Sequence, residues 1–308
     1  MRIVFMGTPD FAVPCLEALL AAGHEVAAVY SQPDKPIGRK QEILPTPVKA
    51  CATAHGLPVC QPATLRTAEE TARLAALAPD CVVVVAYGKL IPQEMLALPP
   101  KGFLNVHASL LPKYHGAAPI QWAVVNGEAT TGVTTMLLDE GMDTGAILEQ
   151  AAIPIGPEET AGDLFDRLAK MGADLLLSTL EKWERGALIP TPQEEAKATL
   201  APIIRKEAAR LDFALPAERL ACAVRGFSPW PVAYTTLAGQ RLKVFKARPA
   251  GKTEKAPGAL WQQGSSLFVA CGEGTALELQ EIQLEGGRRM TAADWLKGRP
   301  VAGGARLD

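Results

Sequence analysis

Residues 80–88 read DCVVVVAYG, and this stretch decides the fold. Its four consecutive valines are too few for a helix and show no polar alternation. That is the pattern of a strand buried on both faces, the kind found in parallel sheets covered by helices. Upstream, RIVFMG (2–7) and VAAVYS (26–31) are two further apolar strands. Between them a helix carries Val13, Leu16, Leu19 and Leu20 on one face, with Asp10 placed to cap it and Gly23 to stop it. Downstream, Thr160 and Asp163 form a capping pair ahead of a helix whose predicted inner face is Leu164, Leu168, Met171 and Leu175. This β-α-β order predicts an open, mainly parallel, Rossmann-like α/β sheet with helices on both sides. Residues 32–47 hold four prolines and one glycine and are predicted to be a long loop. MGTPD after the first strand is not G-x-G-x-x-G, which disfavours a dinucleotide cofactor.

The 308 residues predict two domains. Hydrophobic residues make up 48% and charged residues 21%, ordinary for a globular protein. No apolar run reaches the length of a membrane span, so no membrane partner is expected. MRIVFMGTPDF enters a strand pattern directly and does not read as a signal peptide. The six cysteines form no C-x-x-C pair and the four histidines are dispersed, so no metal is expected; this cysteine usage fits a reducing cytoplasm. The net charge of −2 hides an asymmetry: residues 1–202 carry −8 and residues 203–308 carry +6. A basic final third on an acidic body suits a polyanionic partner, though a merely soluble basic domain has the same balance.

Residues 186–204 contain GALIPTPQ and few periodic apolar positions. The division read from this is a catalytic domain over 1–188, a linker over 189–204 and a second domain over 205–308. Short strands at 231–237, 241–247, 258–262, 266–271 and 276–282, with turns at 238–240 and 271–274, predict a small barrel or sandwich.

Residues 104–116 read LNVHASLLPKYHG. If the start is extended, Asn105 and His107 project from one face, where an amide and an imidazole suit a carbonyl oxygen gaining negative charge. A third group, Asp143, lies in DEGMDTG (139–145). Taken singly, Asn105 reads as a turn former, His107 as a structural histidine and Asp143 as a loop cap, and spacing alone does not bring them together. Strand topology is the step that joins them. Open parallel sheets bind ligands at the carboxyl ends of their strands. Tyr87-Gly88, Asn105–His107 and the 139–145 loop all follow apolar strand-like runs, so they are expected at one edge.

NVH followed by SLLP, with the DEGMDTG segment, resembles the signatures of the folate-dependent formyltransferases. MGTPDF (6–11), QPDKPIGRK (32–40), GAAPIQ (116–121), RKEAARLDF (205–213) and FSPWP (227–231) are similar, in order along nearly the whole chain, to the members of that family that act on methionyl-tRNA. The resemblance implies transfer of the formyl group of 10-formyltetrahydrofolate to the methionine α-amine of initiator methionyl-tRNA, without a metal. It implies an OB-like β-barrel for the second domain. It makes Asn105 an oxyanion donor, His107 a stabiliser and acid, and Asp143 the group that orients His107 and takes the amine proton. It assigns the folate to Ser109, Leu110, Leu111 and Pro112; Tyr87, Leu90 and Ile91, with Asp139 and Glu140, are added by loop proximity. Arg39 is carried over as a tRNA contact, with Lys40 beside it and Lys206, Arg210, Lys243 and Lys246 as candidate phosphate contacts. Phe213 replaces a tryptophan common in the family, and Tyr114-His115 a frequent basic pair. Two other readings remain at this point: a formyltransferase for an amino sugar nucleotide or other small amine, and a non-catalytic RNA-binding protein on the same body. A monomer is expected, because the second domain and a tRNA occupy much surface.

Overall fold

The computed structural model of the chain describes residues 1–37 and 42–308. Arg39 and Lys40 lie outside the described residues. Two compact units are present. The first comprises Met1–Gly116, Thr131–Ile153 and Phe165–Ala201, and the second Ala117–Thr130, Pro154–Leu164 and Pro202–Asp308.

The sheet of the first unit is built from β1 (Arg2–Gly7), β2 (Glu25–Tyr30), β5 (Val59–Cys60), β6 (Cys81–Val85), β7 (Phe103–His107), β8 (Thr130–Leu137) and β9 (Ile147–Pro154). A separate two-stranded ribbon joins β3 (Lys35–Ile37) to β4 (Glu42–Leu44). The order across the sheet is β5-β2-β1-β6-β7-β8-β9. The strands run parallel as far as β7, and β8 is antiparallel to β7. The sheet is thus mainly parallel, with β6 at its centre. All five residues of β6 are buried, as a strand covered on both faces requires.

Three local expectations are corrected. Asp10 does not cap the first helix: it lies inside a 3₁₀ turn, Asp10–Ala12, that leads into α1 (Val13–Ala21), and the turn has no side-chain cap. Part of the predicted loop 32–47 is the β3–β4 ribbon, and Thr46 caps α2 (Pro47–Ala54) by accepting from the Lys49 N–H at 3.2 Å. The first unit also holds α3 (Ala68–Ala76) and α4 (Gln93–Leu96), and α5 (Pro119–Val125) belongs to the second unit. In α6 (Ala161–Glu184) the Thr160–Asp163 capping pair forms as predicted. However, the inner face runs from Leu164 and Leu168 through Ala173 to Leu176 and Leu180, leaving Met171 and Leu175 half-buried. The reason is close approach to the sheet: a Cβ on Gly172 meets Val106 at 3.1 Å, so the inward positions at mid-helix are small.

The second unit has an antiparallel sheet in the order β10 (Ala233–Leu237), β11 (Gln240–Lys252), β14 (Thr275–Leu284), β13 (Ser266–Cys271), β12 (Leu260–Gln263), with β15 (Met290–Thr291) on β14. Ala238 and Gly239 join β10 to β11 with φ of 48° and 80°, the two left-handed positions of a tight hairpin. One core gathers Leu242 and Val244 of β11, Leu267 and Val269 of β13, Leu277, Leu279 and Ile282 of β14, and Leu220 and Val224 of α7 (Ala217–Gly226). The last helix is α8 (Ala292–Gly298). The sequence reading missed α7 and α8.

Candidate active site

β7 positions two groups of the site. Asn105 pairs with Val84 of β6 and Met136 of β8, and His107 with Thr134 of β8, so both sit deep in the sheet, 7% and 6% exposed. Being two apart on one strand, their side chains leave the same face. Val106 leaves the other face, where Gly172 of α6 comes against it.

The route of Asp143 to His107 differs from the one expected. Because β8 is antiparallel to β7, the 138–146 loop starts beside the amino end of β7, where the Leu138 N–H donates to the Phe103 carbonyl at 2.8 Å. It ends where the Leu137 N–H donates to the Ala146 carbonyl at 2.9 Å. His107 lies four residues further along β7, about 13 Å at strand spacing. The loop therefore does not arise at the carboxyl edge; it runs over the face of the sheet that carries Asn105 and His107. There the Asp143 carboxylate stands 3.7 Å from His107 Nδ1. Asp143 has φ +57°, a left-handed conformation that Asp tolerates better than most residues. Its Oδ2 accepts from the Gly116 N–H at 2.8 Å.

The other ring nitrogen, Nε2, is 2.9 Å from the Tyr114 carbonyl oxygen. A carbonyl only accepts, so Nε2 carries the proton in neutral His107 and Nδ1 offers a lone pair toward Asp143. Burial holds His107 below its ordinary value of 6.5, while the Asp143 carboxylate and the Tyr114 carbonyl pull it up and His115 pushes it down. At neutral pH the site thus presents an acceptor nitrogen and a carboxylate side by side. Asn105 makes no side-chain hydrogen bond to protein among the described residues, which leaves its amide free for an incoming oxygen.

The other sequence candidates are distributed as follows. Ser109 and Leu111 are buried, and Leu110 and Pro112 half-buried. The Ser109 hydroxyl donates within its own loop to the Lys113 carbonyl, and Thr134 bonds both the Ser109 carbonyl and the Leu111 N–H. In this segment the side chains left partly open are those of Leu110 and Pro112. The Tyr87 side chain is buried in the core, whereas Leu90 is 63% exposed. Ile91 is half-buried, and Met142, which the sequence reading did not select, is 62% exposed. Asp139 is tied to its own loop, accepting from the Gly141 N–H and the Thr144 hydroxyl; Glu140 is exposed. In the second unit Lys206 and Arg210 are exposed on and after a 3₁₀ turn, Lys243 is half-buried, and Lys246 is exposed and paired with Glu158 at 3.1 Å. Register shifts between Val244 and Ala247 interrupt the strand that carries Lys243 and Lys246. Among the described residues no group of three His, Cys, Asp or Glu is placed to hold a metal, and no helix is long and apolar enough to cross a membrane.

Two family profiles match the chain, one described as formyl transferase over residues 1–180 and one as formyl transferase C-terminal domain over 203–300. The chain belongs to the formyl transferase family. It is 52% identical over 309 aligned residues to the methionyl-tRNA formyltransferase of Acidobacterium capsulatum, covering 100% of this chain and 99% of that one. It is 46% identical to the protein of the same name from Geobacter sulfurreducens, covering 100% and 96%. Among solved structures, an N-formyltransferase from Helicobacter canadensis in complex with folinic acid and dTDP-3-aminofucose is similar in fold, with TM-score 0.69, 19% identity and coverage of 91% and 99%. HypX from Aquifex aeolicus with tetrahydrofolic acid has TM-score 0.62 at 19% identity, covering 96% of this chain and 47% of that one.

In this formyl transferase the sequence reading missed the groups around the central three. They are the Tyr114 carbonyl, the Gly116 N–H, His115 and Gln193. The two backbone groups leave no mark in a sequence, and Gln193 stands alone in the segment read as linker.

Proposed function

We propose that the chain transfers the formyl group of 10-formyltetrahydrofolate to the α-amine of methionine on initiator tRNA. What supports the chemistry is that Asn105 and His107 leave one face of β7 and that the Asp143 carboxylate stands 3.7 Å from His107 Nδ1. The amine nitrogen attacks the formyl carbon, and the carbonyl pair moves onto oxygen as a tetrahedral oxyanion. The Asn105 amide donates to that oxygen. The proton shed by the amine passes to His107 Nδ1, and Asp143 holds the imidazolium against the Tyr114 carbonyl. Collapse restores the carbonyl and breaks the bond to the folate nitrogen, which takes the proton back from His107. His107 is thus base first and acid second. An α-amine titrates near pH ~8, so no stronger base is needed. The outer faces of Leu90, Ile91, Met142, Leu110 and Pro112 offer apolar surface to a flat pterin, with Glu140 and the backbone of Tyr87 and Asp139 as polar partners.

The tRNA is assigned to the basic residues: Arg39 and Lys40, then Lys206, Arg210, Lys243 and Lys246. We read the division as 1–188 catalytic, 189–204 linking and 205–308 tRNA-binding, the last an OB-like barrel. Its antiparallel strand order and the register breaks that bend β11 support this. The protein acts as a monomer in the cytoplasm. The test is formyl transfer with charged initiator tRNA against an amino sugar nucleotide as acceptors. Turnover confined to the charged tRNA supports the assignment; turnover confined to the sugar overturns the acceptor, and none with either overturns the activity.

A further inference from the structure

One side chain in the first unit ties together the two loops that face His107. Gln193 has two amide hydrogens and one oxygen, and each is used. Its Nε2 donates to the Asp143 carbonyl at 2.7 Å and to the Gly145 carbonyl at 2.8 Å. Its Oε1 accepts from His115 Nε2 at 3.0 Å. One is the carbonyl of Asp143 itself, the residue in the left-handed conformation, and the other lies two residues on, so the backbone that aims the carboxylate is held from outside the loop. His115 sits between the Tyr114 carbonyl that bonds His107 and the Gly116 N–H that bonds Asp143.

The backbone around Gln193 repeats the pattern. Thr191 exchanges both N–H···O bonds with Ile147 at 2.8 Å, on the 138–146 side. On the other side, the Tyr114 N–H donates to the Thr199 hydroxyl at 2.9 Å, the His115 N–H to the Thr199 carbonyl at 2.8 Å, and the Ala201 N–H to the His115 carbonyl at 2.7 Å. Residues 191–201 therefore run as a strap bonded to both loops.

We propose that Gln193 is a positioning residue that sets Asp143 against His107, with the 191–201 strap as its frame. The inference rests on the proposed role of Asp143. A carboxylate 3.7 Å from a ring nitrogen stabilises the imidazolium only while its direction is fixed. A misplacement of about 1 Å in such a site costs roughly 10²-fold in rate. The side-chain hydrogen bonds of Gln193 all go to protein groups, so its loss is expected to act on the chemical step more than on binding.

The test is Gln193→Met, which keeps length and volume and removes both donors and the acceptor. The expected result is a fall in kcat of about 10- to 100-fold, with KM for formyl-folate and for charged tRNA within about threefold. In an Asp143→Asn background the same substitution costs under about twofold, because its effect passes through Asp143. A readout independent of activity is the NMR titration of the His107 ring, which faces Asp143 and His115. As the carboxylate loosens, the His107 midpoint falls below that of the wild type. A kcat within about threefold of wild type together with an unmoved His107 titration overturns the inference. A full second loss in the Asp143→Asn background also overturns it, since that marks a structural role. A wild type that does not formylate, or an Asp143→Asn variant at full rate, defeats the functional reading instead; the ring titration then still decides whether Gln193 holds Asp143. If Gln193→Met does not fold, His115→Ala, which frees Gln193 Oε1 and also removes a group that lowers His107, is expected to lower kcat about three- to tenfold with unchanged KM, and an unchanged kcat counts against the proposal.

Discussion

Replacing Asp143 by Asn isolates the charge of the carboxylate from its shape. Asn is among the residues most tolerant of the left-handed region, so φ +57° is retained. Its side-chain oxygen still accepts from the Gly116 N–H, which now finds Asp143 Oδ2 at 2.8 Å. What disappears is a negative charge 3.7 Å from His107 Nδ1. Coulomb's law gives about 4 kcal/mol for such a pair at an effective dielectric of roughly 20, and about 1 kcal/mol at the value for water. Without that charge, His107 should fall further below its ordinary value. The sign follows from the cause, because the carboxylate raises His107 and its removal leaves only the Tyr114 carbonyl to oppose burial. Imidazolium then becomes harder to form at the moment the amine sheds its proton, and turnover should fall about 10²–10⁴-fold, the usual worth of a positioned proton carrier. The assay is steady-state formyl transfer to charged initiator tRNA from pH 6 to 9, with thermal melting and tRNA binding as controls. Turnover within threefold of wild type, with an unmoved pH profile, refutes the role of Asp143 in holding the imidazolium.

Three further outcomes are expected. His107 is held below 6.5 in the folded chain, so the unfolded chain binds more protons between the folded value and about 6.5, and stability falls as pH drops through that window; His107→Asn should flatten the fall in melting temperature there, after allowance for His24, which is also lowered. Gly116→Ala should destabilise by about 1–3 kcal/mol and lower kcat, since φ is +121° and a Cβ meets the Ala201 carbonyl oxygen at 2.7 Å; an unchanged melting temperature contradicts this. Lys206→Ala should flatten the log–log dependence of tRNA affinity on salt by roughly 0.7–0.9, and an unchanged slope removes Lys206 from the phosphate contacts.

The parallel body of the fold was legible because its strands are pure apolar runs: Val82 to Val85 have no other way to be buried on two faces. The pairing of Asn105 with His107 was legible for the same reason, since an extended backbone puts residues two apart on one face. The approach of Asp143 was legible only as a destination. Its route depends on β8 running against β7, and an antiparallel strand buried on both faces carries the same apolar signature as a parallel one. The small inward positions Gly172 and Ala173 hid part of the buried face of α6, because a pattern of large apolar residues stops where a helix comes closest to a sheet. The missed α7 is different in kind: Ala217, Leu220, Ala221 and Val224 are spaced for one helical face, and the signal was there to read. Gln193 carried none, since its importance lies in two carbonyls about 50 residues away in sequence.

The most direct measurement is the single-turnover rate of formyl transfer to charged initiator tRNA by Asn105→Ala, taken together with the dissociation constants for folate and tRNA. Asn105 is nearly buried, and its amide is the donor assigned to the oxyanion. Both dissociation constants should stay near their wild-type values while the transfer rate falls about 10²–10³-fold, as when a preorganised oxyanion donor is removed. A transfer rate near that of the wild type, or a loss confined to substrate binding, contradicts the account that formyl transfer takes place on this face of the sheet.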